Sequence, residues 1–292
     1  MDARLQRRVQ RYGWDLAAED YEPLWRSQLA PAQAAMLASA SLAAGERVLD
    51  IACGTGLVTF DAARDVGPGG RVLGIDLSGK MIDAAQQRAA RRKSANVGFA
   101  RMDAEALAAP SGSFDAALCA LGLMYFPDPA RALREMLRVL RPGGRVSLSV
   151  WGERLRCGWS ALFPIVAAEV NSDVCPLFFS LGQQDTLVRL CAEERFEAIE
   201  HRRIPVTLEY PDAHAACAAA FVGGPVALAW SRFDAAVRAR VRARYVEAIG
   251  DWQCGTGYRI PGEFVIVSAR TPQSAQDPAS SAVRASGESS PR

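Results

Sequence analysis

The 292-residue chain is short of the side chains that most often carry acid–base and metal chemistry: it has two histidines, His201 and His214, and lysine only at Lys80 and Lys93. Its seven cysteines (53, 119, 157, 175, 191, 217 and 254) are scattered, odd in number and include no CxxC pair, which argues against a disulfide framework and a zinc site. No window reaches the roughly 18 consecutive apolar residues of a membrane helix, and MDARLQRRVQRYGWD lacks the apolar core of a signal peptide. No membrane partner and a cytoplasmic location are therefore expected. A net charge of +2 is too small to imply a polyanionic partner. The basic runs QQRAARRK and VRARVRARY have helical period and read as solvated arginine faces, so no nucleic-acid partner is expected either. What the chain does have is apolar residues, half of the total, enough for a large core.

From Arg47 to Trp151 short apolar runs alternate with helical patterns. RVLDIA, RVLGIDL, NVGFARM, FDAALCALGL and GRVSLSVW read as strands, with helices over 56–66, 79–92 and 129–140 between them. RPGG, at 141–144, reads as a stop between the last helix and the next strand. Such alternation predicts an α/β fold: a Rossmann-like, mostly parallel seven-stranded sheet with helices on both faces. A helical N-terminal arm, 1–44, carries Tyr12, Trp14, Tyr21 and Trp25; the α/β core is 45–151. Residues 152–270 supply cap insertions and the last two sheet strands, FEAIEHRRIPVTLEY and GYRIPGEFVIVSA. The tail 271–292, rich in Ser, Pro, Ala and Gln, is expected to be disordered.

In an open parallel sheet ligands bind at the carboxyl ends of strands where strand order reverses, and DIACGTG lies at such an end. Gly54 and Gly56 allow a tight turn lying close to a ligand, although such a turn also serves packing. Asp76 ends the second strand twenty positions beyond Gly56, where a carboxylate grips a ribose with two free hydroxyls. Asp103 ends the third strand in RMDAEAL, where it can accept from an adenine amino group or serve as a helix N-cap. Asp50 sits inside the loop, where it would repel a pyrophosphate but suits a ligand with an α-amino group.

With VLDIACGTG, GIDLSGKMIDAA, the run from RMDAEALAAPSGSFDAALCALGLMYFPDPARALREMLRVLRPGGR and WDLAAEDYEPLW, the chain resembles the class I S-adenosylmethionine-dependent methyltransferases. Within them it is similar to the small-molecule enzymes that include the ubiquinone/menaquinone-biosynthesis methyltransferases. The resemblance implies S-adenosyl-L-methionine as cofactor. It places Gly54 and Gly56 at the amino-acid end of that cofactor, Asp76 at the ribose, Asp103 and the Ala104 backbone at adenine, and Cys119 to Leu121 beside the sulfonium, with Asp50, Ala52, Cys53, Leu77, Met81 and Tyr12 as further expected cofactor-binding residues. Ala52 departs from the glycine common in the family.

Methyl transfer is an in-line displacement that needs two reactants held collinear with water excluded, so a dedicated catalytic residue is not required; the segment after the fourth strand lacks the Asp and Asn cluster of metal-dependent catechol methylation, so no metal is expected. Tyr12, Tyr21 and Trp25 can fold over the cation or merely pack the helical arm. An acceptor that must lose a proton calls for a base, for which His214 at the start of a cap helix is the candidate, whereas His201 lies among charged residues in a strand; Tyr125 in LMYFPD sits where the resemblance implies the acceptor pocket, and Tyr125, His214 and Tyr21 are the catalytic candidates. ALGLMYFPD lacks the Asn/Asp-Pro-Pro-aromatic run used on nucleic-acid bases, and its apolar residues Leu121, Leu123, Met124, Tyr125 and Phe126 suit a small hydrophobic or aromatic acceptor. Cys157 and Cys175, in aromatic surroundings, are ordinary buried thiols or a thiol or arsenite acceptor site. An NAD-dependent oxidoreductase and a non-catalytic nucleoside-binding protein are the other readings, and the chain is expected to be a monomer or homodimer.

Overall fold

The computed structural model describes residues 3–170 and 177–273. Helix α1 (Ala3–Ala40) leads into β1 (Arg47–Ile51), α2 (Leu57–Val66), β2 (Arg71–Asp76), α3 (Gly79–Arg92), β3 (Val97–Arg101), β4 (Phe114–Ala120), α4 (Pro129–Val139) and β5 (Leu140–Trp151). The remainder is α5 (Leu162–Val170), α6 (Thr186–Glu193), β6 (Glu197–Tyr210), α7 (Ala213–Phe221), α8 (Ala227–Arg232), α9 (Ala235–Ala248), β7 (Gln253–Cys254) and β8 (Gly257–Arg270). Strand order is β3-β2-β1-β4-β5-β8-β6, the seven strands expected; the two-residue β7 is an addition that folds back on β8. The first five strands run parallel and β8 runs antiparallel to both β5 and β6.

Local sequence explains the elements. Val48, Leu49 and Ile51 of β1 are buried, and α2 lays Val58, Phe60, Ala62, Ala63 and Val66 against the sheet. Ser78 caps α3 by accepting from the Met81 N–H at 3.1 Å, and Asp128 caps α4 by accepting from the Arg131 N–H at 2.9 Å, leaving Pro129 at a position that needs no donor. RPGG ends α4 as expected but does not delay the strand: Phe114 pairs with Leu140 and Ala116 with Arg145, so the four residues loop out as a bulge inside β5. Thr271, expected to begin a disordered tail, is buried against this bulge and donates its hydroxyl to the Arg141 carbonyl at 2.7 Å. The rest of that tail, 274–292, lies outside the described residues, as does Cys175.

Helix α1 spans 38 residues and buries Gly13, Ala17, Ala18, Trp25, Leu29, Ala32, Met36 and Ala40 along one side. It crosses the carboxyl edge of the sheet. Asp15 accepts from the Ser78 hydroxyl at 2.6 Å, Trp25 Nε1 donates to the Ala219 carbonyl at 3.2 Å, and Ser39 shares a 2.8 Å hydrogen bond with Ser147. The arm is thus a strap from α3 across to β5 and the cap helices. Among the described residues no helix is long and apolar enough to cross a membrane.

Candidate functional site

Strand order reverses between β1 and β4, and the chain opens a cleft there. Its floor is the turn after β1. Gly54 adopts φ +54 and turns its N–H to Asp76 Oδ2 at 2.9 Å; the other oxygen, Oδ1, takes the Ser78 N–H at 2.8 Å. Asp76 therefore sits rigidly at the strand tip, lining the cleft, and burial lifts its acid to about 6, with nearby Asp15 adding to the rise. A Cβ on Gly54 would point at Tyr21 and Met81, so this glycine faces the cleft.

Of the expected site residues, Ala52, Gly54, Asp76, Leu77, Met81, Asp103, Ala104, Leu121, Tyr21 and Tyr125 line one cleft. Six expected residues do not. Gly56, at φ +84, starts α2 with its Cα against Phe60 and Phe99, where a Cβ would meet both rings at 3.0 Å. Cys53 turns under the loop, its N–H bound to the Ile75 carbonyl at 2.9 Å, and Cys119 is fully buried in β4. Tyr12 is exposed on the outer side of α1, stacked with Arg11, and His214 is exposed on α7. Asp50 is buried beneath the turn rather than in the cleft wall: Oδ2 accepts from the Thr59 hydroxyl at 2.6 Å, while Oδ1 has no partner among the described residues. Burial pushes its acid to about 7, with the Asp76 charge adding to the rise.

The first-turn alanine has a structural counterpart. Ala52 adopts φ +55, a conformation that favours glycine, and Leu121 at the tip of β4 adopts φ +58. Between them lies Gly122, where a Cβ would come 2.4 Å from the Ala52 methyl. The methyl that replaces the usual glycine is accommodated by a glycine across the crevice. Ala52→Gly is expected to raise stability by about 1 kcal/mol in urea unfolding through relief of the left-handed strain. Gly122→Ala is expected to cost roughly 1–3 kcal/mol, and less in the Ala52→Gly background, a coupling that a double-mutant cycle reads directly.

The wall of the cleft at Asp103 is clamped by the arm. Arg7 pairs with Asp103 at 3.2 Å and with the buried Glu105, whose other oxygen accepts from the Asp128 N–H at 3.1 Å. The opposite end is a box of rings: Trp14 meets Tyr21 and Tyr125 edge-on at 5.7 and 5.2 Å, Tyr125 meets Phe178 at 5.4 Å, and Trp159 meets Phe178, Trp151 and Trp25 at 5.5, 4.7 and 6.1 Å. The sequence reading missed Arg7, Trp14, Glu105, Trp151, Trp159 and Phe178. Helical spacing held the signal for the arm: residues 7, 14 and 21 share a face, whereas residue 12 lies about 200° from residue 14. Trp159 and Phe178 come from the insertions, whose register against the sheet no local pattern specifies.

Tyr21 is packed beside Asp76, Asp50 and Glu22, and burial followed by these charges holds its phenol well above the usual range. It remains a neutral donor, not a phenolate base. Cys157 is buried, with its thiol pushed up to about 12, which opposes a thiolate there. Among the described residues no cluster of three or more His, Cys, Asp or Glu side chains is placed to hold a metal ion.

A parallel sheet crossing over at a glycine turn, with carboxylates on the tips of β2 and β3, defines a class I S-adenosylmethionine-dependent methyltransferase fold. Residues 48–144 match the methyltransferase domain family, and the chain resembles the class I S-adenosylmethionine-dependent methyltransferases. It is 44% identical over 147 residues to the ubiquinone/menaquinone biosynthesis C-methyltransferase UbiE of Hahella chejuensis, covering 49% of this chain and 56% of that protein. It is 34% identical over 158 residues to the aklanonic acid methyltransferase DauC of Streptomyces sp. (strain C5), covering 54% of this chain and 66% of that one. The chain spans about half the length of the curated relatives it matches. In fold it is similar to Haemonchus contortus phosphoethanolamine N-methyltransferase 2 in complex with S-adenosyl-L-methionine, with a TM-score of 0.59 at 20% identity over 89% of this chain and 57% of that chain.

Proposed function

We propose that this chain transfers a methyl group from S-adenosyl-L-methionine to a small aromatic or hydrophobic acceptor by metal-independent displacement. The single observation that carries this reading is continuity: the Gly54–Asp76 turn and the box of Trp14, Tyr125, Trp159 and Phe178 are two ends of one cleft. In this reading residues 45–151 hold the cofactor, and the arm 1–44 with the cap 152–270 shapes and covers the acceptor end.

The residues fit the cofactor. Asp76 keeps further lone pairs directed to the cleft while its backbone bonds hold it still, and Asp103 stands at the next strand tip. The unpaired, buried Asp50 Oδ1 beneath the turn is a negative group suited to the cofactor's ammonium end. When bound, S-adenosylmethionine supplies a methyl carbon on a cationic sulfur. The chain's own contribution is positioning: the faces and edges of Tyr21, Trp14 and Tyr125 exclude water and fix the acceptor plane, and such alignment is worth at most roughly 7–11 kcal/mol of barrier. Ring faces near the cation add about 0.5–2 kcal/mol. Tyr125 is the side chain proposed to touch the acceptor, and Tyr21 to donate a hydrogen bond rather than take a proton.

The test is a panel of quinol, phenol, amine and thiol acceptors with deuteromethyl-labelled cofactor, read by mass shift. Labelled product from an aromatic acceptor in EDTA is the expected outcome. Turnover abolished by EDTA, or confined to polar aliphatic acceptors, would remove the reading.

A further inference from the structure

One buried donor of the ring box is left without a partner. Trp159 is buried on the wall of the cleft, yet among the described residues nothing accepts from its Nε1–H. Its neighbours explain why: the rings of Trp151, Phe178, Phe179, Phe163 and Trp25 surround it at centroid distances of 4.7, 5.5, 5.7, 5.8 and 6.1 Å, and a ring face accepts a hydrogen bond only weakly. Trp25, in the same box, shows the usual outcome, its Nε1 donating to the Ala219 carbonyl at 3.2 Å. A buried polar group with no partner destabilises the fold, and a phenylalanine at 159 would pack among these rings without that cost.

The place of this donor sets it apart. The other unpartnered neutral group among the described residues, the Ser149 hydroxyl, is buried in β5 and does not line the cleft, whereas Trp159 does. The short turn that carries Trp159, Gly158–Ala161, is held still. Gly158 lies so close to Trp252 that a Cβ would come 2.7 Å from its ring, and the Ser160 hydroxyl donates to the Arg154 carbonyl at 3.2 Å. The acids that line the cleft, Asp76, Asp103 and Glu105, stand at or just past the tips of β2 and β3, away from the rings. The ring end therefore presents a fixed N–H and no carboxylate, a lining that suits an oxygen lone pair and offers an ammonium group no counter-charge.

We propose that Trp159 determines specificity at the ring end, its Nε1–H donating to a carbonyl or phenol oxygen carried by the aromatic acceptor. This rests on the reading that the ring end holds the acceptor. The donor has already lost its water on folding, so an incoming oxygen gains a bond and gives up only its own hydration, while an oxygen-free analogue leaves the N–H as it was. An oxygen-bearing ring is therefore selected over a hydrocarbon of the same shape by about ten- to a hundredfold.

The test uses two probes of one shape, acetylnaphthalene and isopropenylnaphthalene substituted at the same ring position, titrated into the full chain with S-adenosylhomocysteine bound. The ketone is expected to bind about tenfold or more tightly than the alkene, and in Trp159→Phe the ratio is expected to fall to about one with S-adenosylhomocysteine affinity unchanged. Ser149→Ala, which removes the unpartnered hydroxyl outside the cleft, is expected to keep the full ratio. In a nitrogen-15-labelled sample one of the six indole N–H signals, identified as Trp159 by its loss in the phenylalanine variant, is expected to move downfield with the ketone and not with the alkene. Equal binding of the two probes, a ratio that survives Trp159→Phe, or an indole signal that the ketone does not move would overturn the proposal and leave the ring end standing as an aromatic site. If neither probe binds, the acceptor reading of the ring end falls and this proposal falls with it.

Discussion

Replacing Asp76 with alanine is expected to lower affinity for S-adenosylhomocysteine about a hundredfold in titration calorimetry. Two effects combine. The carboxylate holds the Gly54 and Ser78 N–H groups at 2.9 and 2.8 Å, and losing a charge-assisted bond of this kind costs about 1.5–3 kcal/mol. The turn that shapes the cofactor end then loses its anchor, in addition to any direct contact with the ribose. Because each 1.4 kcal/mol is about a factor of ten, the loss of one such bond and one ligand contact already reaches two decades. Asp76→Asn keeps an acceptor for one of the two N–H groups and is expected to lose less. Unchanged affinity in the alanine variant would take Asp76 out of the site.

The second large effect is a pair of opposing pH slopes from Asp50. Its acid is raised from 3.8 to about 7 by burial. Below pH 4 the folded and unfolded chains both carry the proton, so there is no contribution. Between pH 4 and 7 the unfolded chain releases it while the folded chain keeps it, so folded stability falls as pH rises. The loss totals at most about 4 kcal/mol and is constant above pH 7. Asp76, raised to about 6, acts in the same direction over a narrower window. Ligand affinity runs the other way: S-adenosylhomocysteine carries an ammonium group, which favours ionised Asp50, so binding strengthens by about tenfold from pH 6 to pH 8. Asp50→Asn is expected to flatten both curves, read by melting temperature without ligand and by calorimetry with it. An unfolding slope undiminished in the asparagine variant would shift the effect to Asp76.

These two acids also show how far the sequence can be read. Their place at the strand tips follows from apolar runs that end in a charge, and the order of the sheet follows from alternation of strands and helices. That Asp50 tucks under the turn to meet Thr59, nine residues on, depends on the geometry of one helical turn and is not visible in a strand pattern. Tyr12 and Trp14 are both aromatic residues of the arm, and only the angle between them around the helix separates outer face from cleft wall. His214 lies at the start of a helix as expected, capped by Asp212, yet where that helix sits is decided by long-range packing of α7 on Trp25, which leaves His214 exposed and out of the cleft. The ring box is the least legible part, since Phe178, Trp159 and Trp151 come from separate segments that meet only once β8 has inserted beside β5.

Residues 7 to 29 of a single rod contribute to the roof at every point from purine to acceptor. An outward swing of its first turns would break the Arg7 clamp and also draw Trp14 off Tyr125, so one element roofs both ends. Under the proposed function, exchange at the two ends is coupled through this one rod.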